Sequence, residues 1–350
     1  PLQRDGERWQ AGQTLQRAGL YRIVTAPALA TASRAYRLDV VPDHPPQVKV
    51  LAPAFTWKLG RDTVLEYSGE LLRHKTPLDR GVVAVNNQLG AIPRSRFLGE
   101  PADGDLTVKN QTHQFALSHA WNAQWNSRVA LSWRSTGIRG FSTEATALRN
   151  DGTLTRQRRF RDYQSEDLSA QAELQGTVRT GGLTHELLFG VERYRFTLDS
   201  YLLRVNPGTA RPNAMNIYAP LYGQPLPTPL PNTDTHEAQR NNAFYVQDAV
   251  QLGAQWRLMA GVRVDRYRQS LTNWRTGAVD RQQPGATSPR IGLSWLPTPQ
   301  WTVYANVGRS FRPNIGIDVS QRGFAPERSR ALELGGKWES EDRRMGGTVA

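Results

Sequence analysis

The chain has 350 residues, with 22 Pro, 30 Gly, no Cys, 38% hydrophobic residues and a formal charge of +13 from 44 Lys+Arg against 31 Asp+Glu. The lack of cysteine excludes a disulfide framework and cysteine-based metal sites. No stretch approaches the roughly 18 consecutive apolar residues of a spanning helix, and 9% aromatic residues is too many for simple disorder. Length alone suggests about two domains of about 150 residues, a rule that large barrels break. What remains is a β-rich soluble protein, or a membrane protein whose hydrophobicity is hidden by alternation.

In chain order, the pattern is one of strands. A tight turn near Asp5-Gly6 opens the chain. Val129, Leu131 and Trp133 then alternate with Arg128, Ala130, Ser132 and Arg134. Trp256, Leu258, Ala260, Val262 and Val264 alternate with Arg257, Met259, Gly261, Arg263 and Asp265. Further on, Ile291, Leu293 and Trp295 alternate with Gly292 and Ser294. Trp301, Val303, Ala305 and Val307 are interleaved with Thr302, Tyr304, Asn306 and Gly308. Leu332, Leu334 and Trp338 alternate with Glu333, Gly335 and Lys337. Period two is the strand period, and strands with one dry and one wet face suit an antiparallel sheet.

The connections alternate short and long. Short ones fall near Asp5-Gly6, 59–61, 122–124, 179–182, 253–255, 297–300 and 340–342. Long segments lie at about 23–47, 76–107, 136–158, 200–239, 272–286 and 312–325. Tight turns at one rim and long loops at the other are the plan of an outer-membrane barrel. Tryptophan placement agrees. Trp9, Trp57, Trp121, Trp125, Trp256, Trp295, Trp301 and Trp338 each sit within a few residues of a short turn. Trp133 lies further up the strand from Trp125, near the length that crosses a bilayer. Trp57, Trp121, Trp125, Trp133, Trp256, Trp295, Trp301 and Trp338 are therefore expected to form a membrane-interface girdle. The fold class is all-β, a transmembrane antiparallel barrel of about thirteen strands. An odd strand number with free edges does not close a barrel, so residues 1–350 read as part of one barrel domain in a longer chain.

All but five of the 44 basic residues (Lys49, Lys58, Lys75, Lys109 and Lys337) are arginine, which binds phosphate through a planar fork. They are scattered and lack any helix or RNA-binding motif, so no nucleic-acid partner is expected. The densest run, "RQRRFR" (156–161), is expected near the outer rim against anionic lipid. His44, His74, His113, His119, His185 and His236 form no HExxH motif. His113 and His119 lie about 20 Å apart by strand rise. His74 could approach His113, but two ligands are not a zinc site. No metal site, catalytic residue or cofactor is expected.

The stretch "NNAFYVQDAVQLGAQWRLMAGVRVDRY" (241–267) resembles the paired central strands of TonB-dependent outer-membrane receptors of the ferric-siderophore branch. "SPRIGLSWLPTPQWTVYANVGRSFRPN" (288–314) is similar to the hairpin that follows, and "GFAPERSRALELGGKWE" (323–339) to the next strand. Upstream, "LAPAFTWKLGRDTVLEYSGEL" (51–71) and "IPRSRFLGEP" (92–101) are similar to the early hairpin and the loop after it, and "PLQRDGERW" (1–9) resembles the first hairpin after the plug. Residues 10–47 depart from the pattern. The resemblance implies a barrel of about 22 strands with a plugged lumen; neither the plug nor the terminal strands match anything in this chain. It further implies uptake of a ferric siderophore, energised by TonB with ExbB and ExbD through the plug, in the bacterial outer membrane, with no enzymatic step. Iron would arrive inside the ligand.

Ferric siderophores are bulky, partly aromatic and often anionic, so Tyr, Trp and Arg at the outer mouth suit them. The 200–239 segment offers Tyr201, Arg204, Arg211, Tyr218 and Tyr222 among seven prolines. Trp274 with Arg275, and Arg309, Phe311 and Arg312, belong to the next two outer segments. Alternative roles for these residues are loop packing, lumenal ion pairs, or contact with outer-membrane lipid and lipopolysaccharide. Alternative functions are a receptor of the same architecture for cobalamin or a saccharide, a passive channel, and a soluble β-rich adhesion module.

Overall fold

A computed structural model describes residues 2–5, 8–11, 47–208, 213–314 and 324–350. Strands β1 (Leu2–Asp5) and β2 (Arg8–Ala11) form a separate hairpin. All later strands belong to one antiparallel sheet of fifteen. Its first members are β3 (Gln47–Leu51), β4 (Ala54–Lys58), β5 (Thr63–Thr76), β6 (Leu106–Ala120), β7 (Trp125–Leu148), β8 (Thr153–Thr180) and β9 (Leu183–Val205). Then come β10 (Met215–Asn216), β11 (Leu230–Leu252), β12 (Trp256–Asn273), β13 (Val279–Gln282), β14 (Gly285–Thr298), β15 (Trp301–Arg312), β16 (Glu327–Glu339) and β17 (Gly346–Val349).

Each long strand pairs with the next in sequence, so the sheet is a meander. β3 and β4 lie in series along one edge of β5. The break between them holds Pro53, which has no N–H for a ladder; its carbonyl accepts from Gly69 N instead, at 2.8 Å. The short pieces β10 and β13 pair beside β8 and β12. Among the described residues the wall thus has twelve strand positions.

The expected alternation sorts the two faces. Leu117, Val129, Ala172, Val191, Phe244 and Val264 are directly opposed from strand to strand, all on one side. Phe244 is half exposed and Val191 and Val129 slightly more than half, so a contiguous apolar band is presented outward. Such a band is the lipid surface of an outer-membrane barrel. Polar residues fill the other side. The tryptophans flank the band: Trp256 stacks on Trp295 at 5.9 Å and Trp301 lies 6.3 Å from Trp338, both pairs at the short-turn end. Trp57 and Trp121 are exposed at the same end, Trp125 lies over Gly176, and Trp133 stacks on His113 at the upper edge.

The short turns fall where the spacing predicts, but three of the long loops are smaller than expected. Residues 136–158 are not a loop: β7 and β8 continue outward and join in a tight turn at 149–152. The polar composition of this stretch reflects its height above the apolar band, where the outer face of the sheet no longer meets lipid. The 200–239 segment contracts to a connection at 206–229, and 272–286 holds a short turn plus β13. The segment at 23–47 lies outside the described residues up to its last position, as does much of 312–325.

Candidate functional site

The outer end of the tall β7–β8 hairpin carries a small core. Ile92 and Leu98 from the 77–105 connection meet Leu154 on β8 and Met215 and Ile217 from the 206–229 connection. Val82, Val83, Val85, Ala145, Leu148 and Tyr222 pack around them. Two connections more than a hundred residues apart are thereby fixed to one strand pair.

Polar groups complete the joint. The Arg156 side chain is fully buried. It donates to the Asn213 carbonyl at 2.8 Å, to Asn213 Oδ1 at 3.0 Å, to the Gly99 carbonyl and to Glu100 Oε2 at 3.3 Å. The second Glu100 oxygen accepts from Gly223 N at 3.0 Å. A buried charge needs this degree of partnering to be tolerated. Arg158 bonds Asp103 at 2.8 Å and the Pro227 carbonyl at 3.1 Å, and Thr143 donates to Asp103 at 2.6 Å. Tyr222 donates to the Phe97 carbonyl at 2.7 Å, and burial pushes its phenol above the usual tyrosine range.

The "RQRRFR" run is therefore corrected: its arginines do not face lipid. Arg156 and Arg158 tie the two outer connections down, while Arg159 and Arg161 turn to Glu144 on the opposite side of the strand. Arg80 reaches the same carboxylate at 3.3 Å. Three guanidinium groups thus share one carboxylate, and Arg80 is more than half exposed. The cluster carries surplus positive charge on the side of the sheet continuous with the polar face.

Below it, the polar face is cross-linked strand to strand. Arg263 on β12 reaches over β11 to Glu192 on β9 with two bonds of 3.1 and 3.2 Å, and also binds Asp265. Its guanidinium lies 5.7 Å from the Tyr245 ring, and Tyr245 donates to Glu173 at 2.7 Å. Arg134 pairs with Asp167 at 2.8 Å, and Asn110 links Glu70 with Thr136. Paired charges and amides projecting inward suit a water-filled or plugged lumen.

The residues expected at the mouth are distributed over several surroundings. Tyr222 belongs to the small core, and the exposed Tyr218 rests against the turn at Gly152. Tyr201 lies on the side of β9 that carries Phe189 and Val191, whereas Arg204 lies on the other side, opposite Arg159. Trp274 is exposed in the turn after β12, with Arg275 donating to the Asn232 carbonyl. Arg309 stands opposite Arg330 and Arg312 opposite Glu327, while Phe311 meets Tyr267 edge-on at 6.4 Å. Arg211 lies outside the described residues. Sequence reasoning missed Arg80, Glu100, Glu144, Glu192 and Arg263, because each is defined by a partner many residues distant.

The described histidines do not gather, and His44 lies outside the described residues. His74 is opposite Val108, and His113 opposite Gly69, so these two point to different faces and do not approach. His113 bonds the Tyr67 hydroxyl at 2.8 Å, His119 the Thr63 hydroxyl at 2.7 Å, and His185 and His236 pair with Asp248 and Asp199. No group of three or more metal-ligating side chains occurs among the described residues.

Comparison with known proteins places this architecture. Residues 55–350 match the family model "TonB dependent receptor-like, beta-barrel". The metal-pseudopaline receptor CntO of Pseudomonas aeruginosa (strain UCBPP-PA14) is 39% identical over 308 residues, covering 86% of this chain and 43% of that protein. The catecholate siderophore receptor Fiu of Escherichia coli K12 is 26% identical over 310 residues, covering 76% and 40%. The crystal structure of the siderophore receptor PiuA from Acinetobacter baumannii superposes with a TM-score of 0.77 at 16% identity, over 90% of this chain and 50% of that one. The chain thus spans half or less of the length of these relatives. With twelve consecutive wall strands, an outward apolar band and a match over residues 55–350, the chain belongs to the TonB-dependent receptor β-barrel family of the outer membrane.

Proposed function

We propose that this chain is barrel wall from a receptor for TonB-dependent, energy-coupled uptake of a metal bound by a siderophore-type chelator, with ferric siderophores as the leading ligand class. The observation that carries the reading is the fastening of the 77–105 and 206–229 connections to the tall β7–β8 hairpin. A rim fixed before the ligand arrives loses less conformational entropy on binding. The surplus positive charge of Arg80, Arg159 and Arg161 around Glu144 suits an anionic chelate. Tyr218 and Trp274 offer exposed aromatic surface at the long-loop end.

The names of the relatives support a metal-chelate ligand: one is a metal-pseudopaline receptor, others are ferric-pyoverdine, ferrioxamine B and catecholate siderophore receptors. The metal enters as cargo inside the ligand, and no bond is made or broken. TonB, with ExbB and ExbD, would act through a plug domain outside this chain. The eight tryptophans flanking the apolar band act as the interface girdle, and outer-membrane lipid with lipopolysaccharide surrounds the wall.

The test is uptake by cells carrying or lacking the full gene under metal limitation. Purified chelators are supplied once loaded with iron and once with a divalent metal. Gene-dependent uptake of one or more complexes is expected. Uptake of every complex without change after deletion would reject the ligand class, and uptake that persists without TonB would favour a passive channel.

A further inference from the structure

The strand register sets three arginines side by side. Arg195 on β9 is directly opposite Arg240 on β11, which is directly opposite Arg268 on β12. Neighbouring strands are about 4.8 Å apart, so the three stems fall within about 10 Å. One step toward the turns, Arg193 and Arg266 flank Asn242 in the same way. Arg281 on β13 stands diagonal to Arg268. All six are exposed.

Like charges placed directly across a strand pair repel and destabilise the sheet. None of the six forms an ion pair with a described carboxylate. Glu166, diagonal to Arg195 across the β8–β9 pair, does not close on it either. By contrast, Arg134 and Arg263 on the other face, and Arg156, Arg158 and Arg161 at the outer joint, each pair with a carboxylate.

The unpaired group has a definite height. It lies on the side of the apolar band, and the register rows below Arg195–Arg240–Arg268 lead directly to Val191, Phe244 and Val264. The six guanidinium groups therefore begin where the apolar band ends on the long-loop side, at the depth of the lipid headgroups. We infer that the Arg195–Arg240–Arg268 row, with Arg193, Arg266 and Arg281 around it, binds the phosphate groups of an outer-leaflet lipid headgroup. The arginine fork matches phosphate geometry, and its bonds to an oxyanion are charge-assisted. A headgroup with two phosphates supplies the counter-charge that no described carboxylate provides. The inference rests on the membrane placement of the apolar band proposed above, and names the lipid partner of one sector.

The test uses the full-length receptor in detergent and the variant Arg195→Gln/Arg240→Gln/Arg268→Gln. Retention of purified lipid A, either bisphosphorylated or dephosphorylated, is read by native mass spectrometry and thermal melting. Wild type should retain the bisphosphorylated form and melt higher with it, and the variant should retain roughly tenfold less. Without lipid the variant should melt no lower than wild type, because the repulsion has been removed. Equal retention by both proteins, or equal retention of dephosphorylated lipid, overturns the assignment. The same melting shift from inorganic pyrophosphate alone would assign the row to a soluble anion and also overturn it. If the triple variant does not fold, Arg240→Gln alone removes the central charge, and unchanged retention there is equally decisive. Heat-modifiable migration is followed in parallel: its loss in wild type would speak against the membrane barrel, independently of the lipid result.

Discussion

The Tyr245 ring lies flat over Gly190, its direct opposite across the β9–β11 pair, so closely that a Cβ on Gly190 would come within 2.1 Å of the ring. That placement lets the Tyr245 hydroxyl reach Glu173 on β8, one strand further on. Trp125 covers Gly176, and Tyr304 covers Gly335, in the same opposed arrangement. A glycine in a strand weakens it, and an aromatic ring laid across it restores packing. Gly190→Ala should push the ring aside and cost about 1–3 kcal/mol by overpacking, more than Tyr245→Phe, which removes the hydroxyl's bonds to Glu173 and Gln171 but leaves the ring over the glycine. Thermal unfolding of the full-length receptor in detergent orders the two variants; equal melting would deny the close approach its role.

Arg156→Ala leaves the Glu100 carboxylate buried without its cation. Removal of one partner from a buried pair costs about 3–5 kcal/mol, and here the cost falls on the outer joint, above the lipid band. The expected result is faster hydrogen exchange and proteolytic cleavage within 77–105 and 206–229, with heat-modifiable migration retained. Arg156→Met with Glu100→Leu should recover part of the protection, since neither charge then remains buried.

Tyr222 and Tyr218 separate by role. Tyr222→Phe loses the bond to the Phe97 carbonyl, about 0.5–1.5 kcal/mol of local stability, and should loosen the outer joint slightly. Tyr218, 54% exposed, has surface free for a ligand. Tyr218→Ala combined with Tyr222→Ala should weaken chelate binding by roughly tenfold or more while the barrel stays folded. Titration of the purified receptor with its transported complex checks this, and unaltered affinity would remove both tyrosines from the binding surface.

Arg80→Ala with Arg159→Ala removes two of the three cations around Glu144 and cancels the surplus charge there. Binding of an anionic complex should weaken by about tenfold at low salt and less at high salt, because exposed charges are screened. A neutral complex should be little affected. Equal losses for both complexes would mean that the arginines act through rim structure and not through charge.

The wall was readable from sequence because its signal is local. Trp301, Val303, Ala305 and Val307 announce their face within eight residues, and each tight turn is marked within a few positions. The outer joint was not readable. Arg156 looks like a solvated member of a basic run, and what buries it is Gly99, Glu100 and Asn213, all more than fifty residues away. The same holds for residues 136–158, whose Gly137, Gly140 and hydroxyl-bearing residues suggest a loop, although register with β8 holds them as strand. The Arg195–Arg240–Arg268 row is a property of register alone. One residue of slip in β11 would put Arg240 on the opposite face.

The strands differ greatly in length around the wall. β8 runs for 28 residues and β15 for 12, about 90 Å against about 40 Å along the strand at roughly 3.3 Å per residue. Only about 25 Å of height is needed to cross the apolar layer. The surplus stands on the β7–β11 side, where the long strands run for 23 to 28 residues, so this part of the rim has a high bank and a low bank. A solute diffusing along the membrane surface toward that side meets a tall parapet, stiffened by the buried joint at its top.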